Sequence, residues 1–271
     1  MDFVHGYVYA RWPNRYIGFL RGADAGPRPV RRGKPRDLGR FSRYFQEHYH
    51  SKVLRPEEAE KIVRLDRPVV VENPERIVPF AIANRIVMET PGTLAVIDCP
   101  CRETRGEAGC RPRDVCLLVG SPFAEFVVEH GVNRARAITR NEASDILRRT
   151  GEAGCVHTAW FKDAMGGRFY AICNCCPCCC GAMGAMRKSG FAARYVQPSG
   201  YVSHVDADRC DGCGSCREWC PFGAVSVNGK AEVAVEHCYG CGVCRTKCGK
   251  SAIELVLEPS RGVPLDLDTF G

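Results

Sequence analysis

The chain has 271 residues, about two domains' worth of length, with 45% hydrophobic and 25% charged residues and a formal net charge of +7. Those values exclude a mainly disordered chain, a collagen-like one and a coiled coil, and no stretch approaches the ~18 uninterrupted apolar residues of a membrane span. The outlier is cysteine: 19 residues, about 7% of the chain, with 15 of them after Thr150.

In chain order, residues 1–50 are aromatic and arginine-rich, and the Gly/Pro/Arg stretch over 21–39 reads as an irregular arm. Its basic residues suit docking to an acidic partner or an anionic lipid surface, a peripheral association, or simply a solvated surface. Arg31-Arg32 has no apolar run behind it, so no secretory leader is expected and the chain reads as cytoplasmic. Pro56 opens a helix with Glu57, Glu58 and Glu60 near its positive end. A second helix is expected over 79–89, with Ile82, Ile86 and Val87 on one face, and a third over 121–129. Thr139-Arg-Asn-Glu142 is a capping box opening a fourth over 140–150, and small residues suggest another over 182–188. Strands are expected at 69–72, 94–98, 156–161 and 168–172, the last two forming a hairpin across Met165-Gly166-Gly167. This is an α+β plan: a cysteine-rich mixed α/β domain over 51–197, then a smaller domain over 198–271 joined at Pro198-Ser-Gly200.

Nineteen thiols in a reducing compartment point to metal or catalysis rather than to disulfides, and an odd count leaves one unpaired in any disulfide scheme. Cys210, Cys213, Cys216 and Cys220 form C-x2-C-x2-C-x3-C followed by Pro221, and Cys238, Cys241, Cys244 and Cys248 repeat it 28 residues later. Gly212, Gly214 and Ala224-Val225 recur as Gly240, Gly242 and Ala252-Ile253, which marks an internal duplication. Two-residue gaps let a tight loop place three sulfurs around one [4Fe–4S] cube, and in such runs the fourth cysteine ligates the other cube. Cys210, Cys213, Cys216 and Cys248 are therefore assigned to one cluster, and Cys238, Cys241, Cys244 and Cys220 to a second. A zinc site, which takes paired C-x2-C arms around one tetrahedron, fits this spacing poorly. Over about residues 201–258 the sequence resembles the bacterial-type 2[4Fe–4S] dicluster ferredoxin family, departing once where Gly249 stands in place of a proline.

Eleven cysteines remain. Cys99, Cys101, Cys110 and Cys116 lie within 18 positions, Cys99 at the end of a buried strand and the later two in a Gly/Pro/Arg-rich loop. They suit one further cube, with Arg102 and Arg105 offsetting its charge. Cys173, Cys175, Cys176, Cys178, Cys179 and Cys180 occupy eight positions and cannot all face one site, because neighbours point in different directions. Some of them are expected to serve another cluster or the first group's site. One or two additional Fe–S clusters are thus expected, the alternative being zinc held by four thiolates. Tyr49-His-Ser-Lys-Val-Leu54, Cys99-Pro-Cys-Arg102, Val115-Cys-Leu117, Ile138-Thr-Arg-Asn-Glu-Ala143, Gly154-Cys-Val-His157 and Ile172-Cys-Asn-Cys-Cys176 together resemble a family of multi-cysteine 4Fe–4S dicluster-domain proteins of anaerobes. That resemblance implies an electron carrier or redox subunit. Cys155 departs from its pattern and reads as a buried thiol, and His157 as a hydrogen-bonded structural histidine.

Each fully ligated cube contributes about −2, so two take the formal charge from +7 to about +3 and four to about −1. The basicity is therefore largely compensation for bound clusters, and weak support for nucleic acid. A helix followed by a hairpin, with Arg134, Arg136, Arg140, Arg148 and Arg149, suits a DNA-binding regulator less well than a solvated helix face. No dinucleotide fingerprint, phosphate loop, radical-enzyme C-x3-C-x2-C or haem C-x2-C-H is present. The leading expectation is single-electron transfer between redox protein partners, without a membrane span or nucleic acid. Its rival is a catalytic Fe–S reductase subunit with an active cluster in the first domain.

Overall fold

The computed structural model describes residues 49–67, 69–71, 86–88, 93–162, 169–188, 196–265 and 267. The arginine-rich arm, most of the expected helix over 79–89 and the Met165-Gly166-Gly167 turn lie outside them.

Strand β1 (Tyr49–Val53) leads into helix α1 (Pro56–Arg64), where a proline with no amide to donate takes the first helical position. The Arg55 amide just ahead donates to the buried Glu58 carboxylate at 2.8 Å. Strands β2 (Val69–Val71) and β3 (Ile86–Met88) pair antiparallel, so 86–88 is strand where a helical face was expected. The β-branched Ile86 and Val87 favour that outcome, since their stiff side chains suit a pleated surface better than a helix.

Next come β4 (Leu94–Asp98), α2 (Pro100–Glu103), β5 (Asp114–Val119), α3 (Phe123–Glu129), β6 (Arg136–Ala137), α4 (Arg140–Glu152), β7 (Val156–Lys162), β8 (Phe169–Cys175), α5 (Gly181–Lys188) and β9 (Val196–Gln197). Seven of these strands form one sheet in the order β6-β4-β5-β8-β7-β1-β9, antiparallel except for the β1–β9 pair. Every residue of β4 is buried, and Leu117 and Ile172, opposite one another on β5 and β8, are fully so. Strand β5 corrects the expectation of a loop around Cys116. Arg111-Pro-Arg-Asp114 hides its start, but Val115, Leu117, Leu118 and Val119 are an apolar run that burial makes a central strand. Helix α4 lays Ala143, Ile146 and Leu147 inward. The Thr139 hydroxyl caps it by accepting from the Glu142 amide at 3.2 Å, while the Glu142 carboxylate turns to Arg136 at 2.6 Å.

The C-terminal part contains β10 (Tyr201–Val205), α6 (Ser215–Trp219), β11 (Val225–Asn228), β12 (Lys230–Val233), α7 (Val243–Thr246) and β13 (Ile253–Leu257). The duplication is visible in its pairing: β10 joins β13, and β11 joins β12, both antiparallel. The chain is thus a mixed α/β protein of seven helices and several sheets among the described residues, with this small duplicated unit at the C-terminal end. It packs on the larger sheet through specific contacts. The fully buried Lys52 ammonium donates to the Pro198 carbonyl at 2.8 Å, Arg245 pairs with Glu57, and Lys247 donates to the Glu152 carbonyl at 2.5 Å. Burial lowers the Lys52 pKa to about 8, with Glu58 opposing.

Candidate metal centres

In the duplicated unit, each cysteine run is a loop that ends in a short helix. Gly214 and Gly242, both at positive φ, immediately precede α6 and α7. Gly240 (φ +62°) also fits for want of space: a Cβ there would overlap the Tyr201 carbonyl and the Ser199 hydroxyl. Gly212 is placed the same way against the Gly229 carbonyl, 28 residues after Tyr201, so each loop rests on the strand region of the other half. The sulfurs collect matched amide donors: Ala224 N to Cys220 Sγ at 3.2 Å and Ala252 N to Cys248 Sγ at 3.4 Å. Across halves, Ser203 N reaches Cys238 Sγ at 3.4 Å and Ala231 N reaches Cys210 Sγ at 3.5 Å.

Cys220, Cys238, Cys241 and Cys244 line one pocket together with Ser203, Phe222 and Tyr239. Burial pushes the Cys241 thiol up, and that of Cys244 to about 12. Free thiolates are unfavourable in such a cage, and a positively charged metal core is what makes them stable there. Cys210, Cys216 and Cys248 share the neighbouring packed cluster, and Cys213 is exposed at the rim. Amide donors to sulfur and an apolar, thiol-lined cage fit [4Fe–4S] clusters.

Ten of the remaining cysteines sort into two sets that cut across their order in the chain. Thiol contacts close a ring: Cys99 to Cys116, Cys116 to Cys173, Cys173 to Cys175, Cys175 to Cys180, Cys180 to Cys101 and Cys101 to Cys99. The sheet explains it. Cys99 directly follows β4, Cys116 lies on the adjacent β5, and Cys173 and Cys175 share one face of β8, the next strand across. Cys101 comes from α2, and Cys180 stands just before α5. The Gly181 amide at the start of α5 donates to Cys101 Sγ at 3.4 Å. Hydrogen bonds among the thiols, then burial, push Cys99 and Cys180 well up, so this ring too calls for a cationic core.

The second set is Cys110, Cys176, Cys178 and Cys179, whose four sulfurs all lie within 4.8 Å of one another. Strand β8 stops at Cys175, and the turn that follows sends Cys176, Cys178 and Cys179 to this set and Cys180 back to the ring. The group of four expected from sequence is therefore divided: Cys99, Cys101 and Cys116 go to the ring, and Cys110 goes to the turn.

Arg102 stands between the two sets, 2% exposed. One guanidinium nitrogen is 3.4 Å from both Cys155 Sγ and the Asn174 carbonyl, and the other donates to the Pro112 carbonyl. Burial opposes its charge, but Cys176, Cys155, Cys99 and Cys116 outweigh that and its pKa is raised. The Nε atoms of Arg102 and Arg105 are buried with no partner among the described residues. Cys155 is buried beside Arg102, its thiol pushed up to about 11 by burial. His157 is buried and bonds through Nδ1 to Asn174 Oδ1 at 2.5 Å, and burial lowers its pKa, so it is structural as expected. Three of the five arginines considered for DNA are engaged in local ion pairs. Arg134 pairs with Asp98 and Glu103, Arg136 with Glu142 and Asp114, and Arg148 with Asp145 and Glu152.

Residues 203–249 match the family model of the 4Fe-4S dicluster domain. No curated protein matches the chain. Among the described residues, no helix is long and apolar enough to cross a membrane. The dicluster domain and the density of cysteines support an iron–sulfur electron-transfer role.

Proposed function

We propose that this chain is a polyferredoxin-like carrier or redox-complex subunit that relays single electrons between protein partners. Residues 198–271 form its 2[4Fe–4S] ferredoxin domain, residues 51–197 a cysteine-rich domain with a further cluster, and residues 1–50 an arm. Cys210, Cys213, Cys216 and Cys248 hold one [4Fe–4S] cluster, Cys220, Cys238, Cys241 and Cys244 the second, and the six-thiol ring holds a third. Bound clusters of this kind supply reversible one-electron storage at potentials set by their hydrogen bonds and burial.

The observation that carries this reading is a shared apolar cluster. Cys175 and Cys180 of the ring pack with Cys220 and Cys241 of the ferredoxin unit, together with Met183, Met186, Phe222, Tyr239 and Val243. Phe222 and Tyr239 stack at 4.1 Å within it. This apolar cluster keeps water from between the third and second sites and holds them adjacent, which a carrier needs and an isolated structural metal does not. The paired arginines of α4 and its surroundings favour this reading over a DNA-binding one.

Anaerobic iron and sulfide analysis tests it. Three clusters give ~12 of each per chain, against ~8 if the ferredoxin domain alone is loaded. Cys101→Ser should remove about 4 iron atoms and one EPR signal while both ferredoxin signals persist. A full iron count in that variant would remove Cys101 from the ligand set, and steady-state turnover of small-molecule donors and acceptors without a partner protein would overturn the carrier reading. The latter result would favour the catalytic reductase.

A further inference from the structure

We infer that Cys110, Cys176, Cys178 and Cys179 hold a single tetrahedral zinc ion rather than an iron–sulfur cube. The argument is one of size. A zinc ion bound at about 2.3 Å by four thiolates places its sulfurs roughly 3.8 Å apart. Here the four sulfurs all lie within 4.8 Å of one another, with Cys178 to Cys179 at 3.8 Å and Cys110 to Cys178 at 3.0 Å. Four iron corners hold their ligand sulfurs farther apart than one ion does, and the same chain supplies the comparison. Among the described residues no other three His, Cys, Asp or Glu ligand atoms come this close, the eight ferredoxin cysteines included.

The chemistry of the donors agrees. Four soft thiolates in a tetrahedron select zinc over hard cations, and zinc binds such sites more tightly than ferrous iron. Four thiolates around Zn²⁺ carry a net charge of about −2, and arginines surround the site. Arg105 donates to the Cys178 carbonyl at 2.5 Å, Arg187 donates to the Pro177 carbonyl at 2.7 Å, and Arg102 is the charged neighbour of Cys176. All four ligand positions come from protein, with Cys176 and Cys179 buried, so no coordination position is left for a substrate. The ion ties the loop carrying Cys110 to the turn after β8. Because Cys180 follows Cys179 directly, the ion also sets one wall of the six-thiol ring.

The test uses the full-length protein purified anaerobically from cells supplied with both metals. Elemental analysis is expected to return about one zinc per chain. Zinc K-edge absorption should show four sulfur neighbours at about 2.3 Å and no metal neighbour. Cys178→Ser should lower the zinc content about tenfold and leave the iron content unchanged, so failure of this assignment is distinct from failure of the electron-transfer reading. The absorption spectrum needs no variant and stands even if Cys178→Ser misfolds. A zinc-free protein with ~16 iron atoms, a single rubredoxin-like iron at this site, or zinc retained in Cys178→Ser would each overturn the assignment.

Discussion

Gly240 offers the sharpest probe of how the ferredoxin loops are built. In Gly240→Ala, a side chain is forced to φ +62°, which costs ~1–2 kcal/mol for the left-handed conformation. The new Cβ also meets the Tyr201 carbonyl, a backbone group that cannot swing away, and the buried Ser199 hydroxyl. That hydroxyl donates to the Gly240 carbonyl at 3.0 Å and accepts from the Tyr201 amide at 3.2 Å. Losing these two bonds adds about 1 kcal/mol each. Gly229→Ala is the matched control, because φ is +74° there but a Cβ meets nothing within 4 Å. The two variants should share the conformational cost and differ by ~2 kcal/mol, about 30-fold in an opening equilibrium. The assay is anaerobic bleaching of the cluster absorbance in guanidinium, with iron counted after purification. Gly240→Ala is expected to bleach about 30-fold faster than Gly229→Ala. Equal bleaching rates and equal iron in the two would refute the claim that close packing across the duplication, rather than backbone angle alone, selects glycine here.

Other outcomes follow from the same structure. Arg102→Met removes the cation between the two N-terminal thiol sets, so the reduced, more negative form of the third cluster loses stabilisation. Its potential should fall by roughly 50 mV in an EPR-monitored titration while the ferredoxin potentials stay put. Lys52 has a folded pKa of about 8, depressed from 10.5 by burial, so the unfolded chain binds more protons between those values. Stability should therefore rise with pH across that window, by up to roughly 3 kcal/mol in total, and thermal unfolding of Lys52→Met should lose that slope. Phe222→Ala should leave about 12 iron atoms bound yet slow electron exchange between the second ferredoxin cluster and the third, seen by rapid-freeze EPR after partial reduction.

Much of the molecule is legible before folding is considered. The 28-residue repeat, its glycines and the paired cysteine runs together point to two cubes, because ligand spacing inside a tight loop is a local matter. The hairpin of β7 and β8, the buried β4 and the capped α4 are likewise written in alternation, apolar runs and a single hydroxyl. Two elements were hidden by their flanks: Asp114–Val119 behind an Arg/Pro-rich approach, and Ile86–Met88 behind an apparent helical face. What only the tertiary structure decides is how the other cysteines are shared. Cys175 and Cys176 are adjacent in sequence yet serve different sets, and Cys110 parts from Cys101 to join a turn 66 residues away. Side chains alternate across a strand and fan out around a turn, so neighbours along the chain diverge. The lateral order β4-β5-β8, which no local pattern encodes, then brings distant thiols to one place.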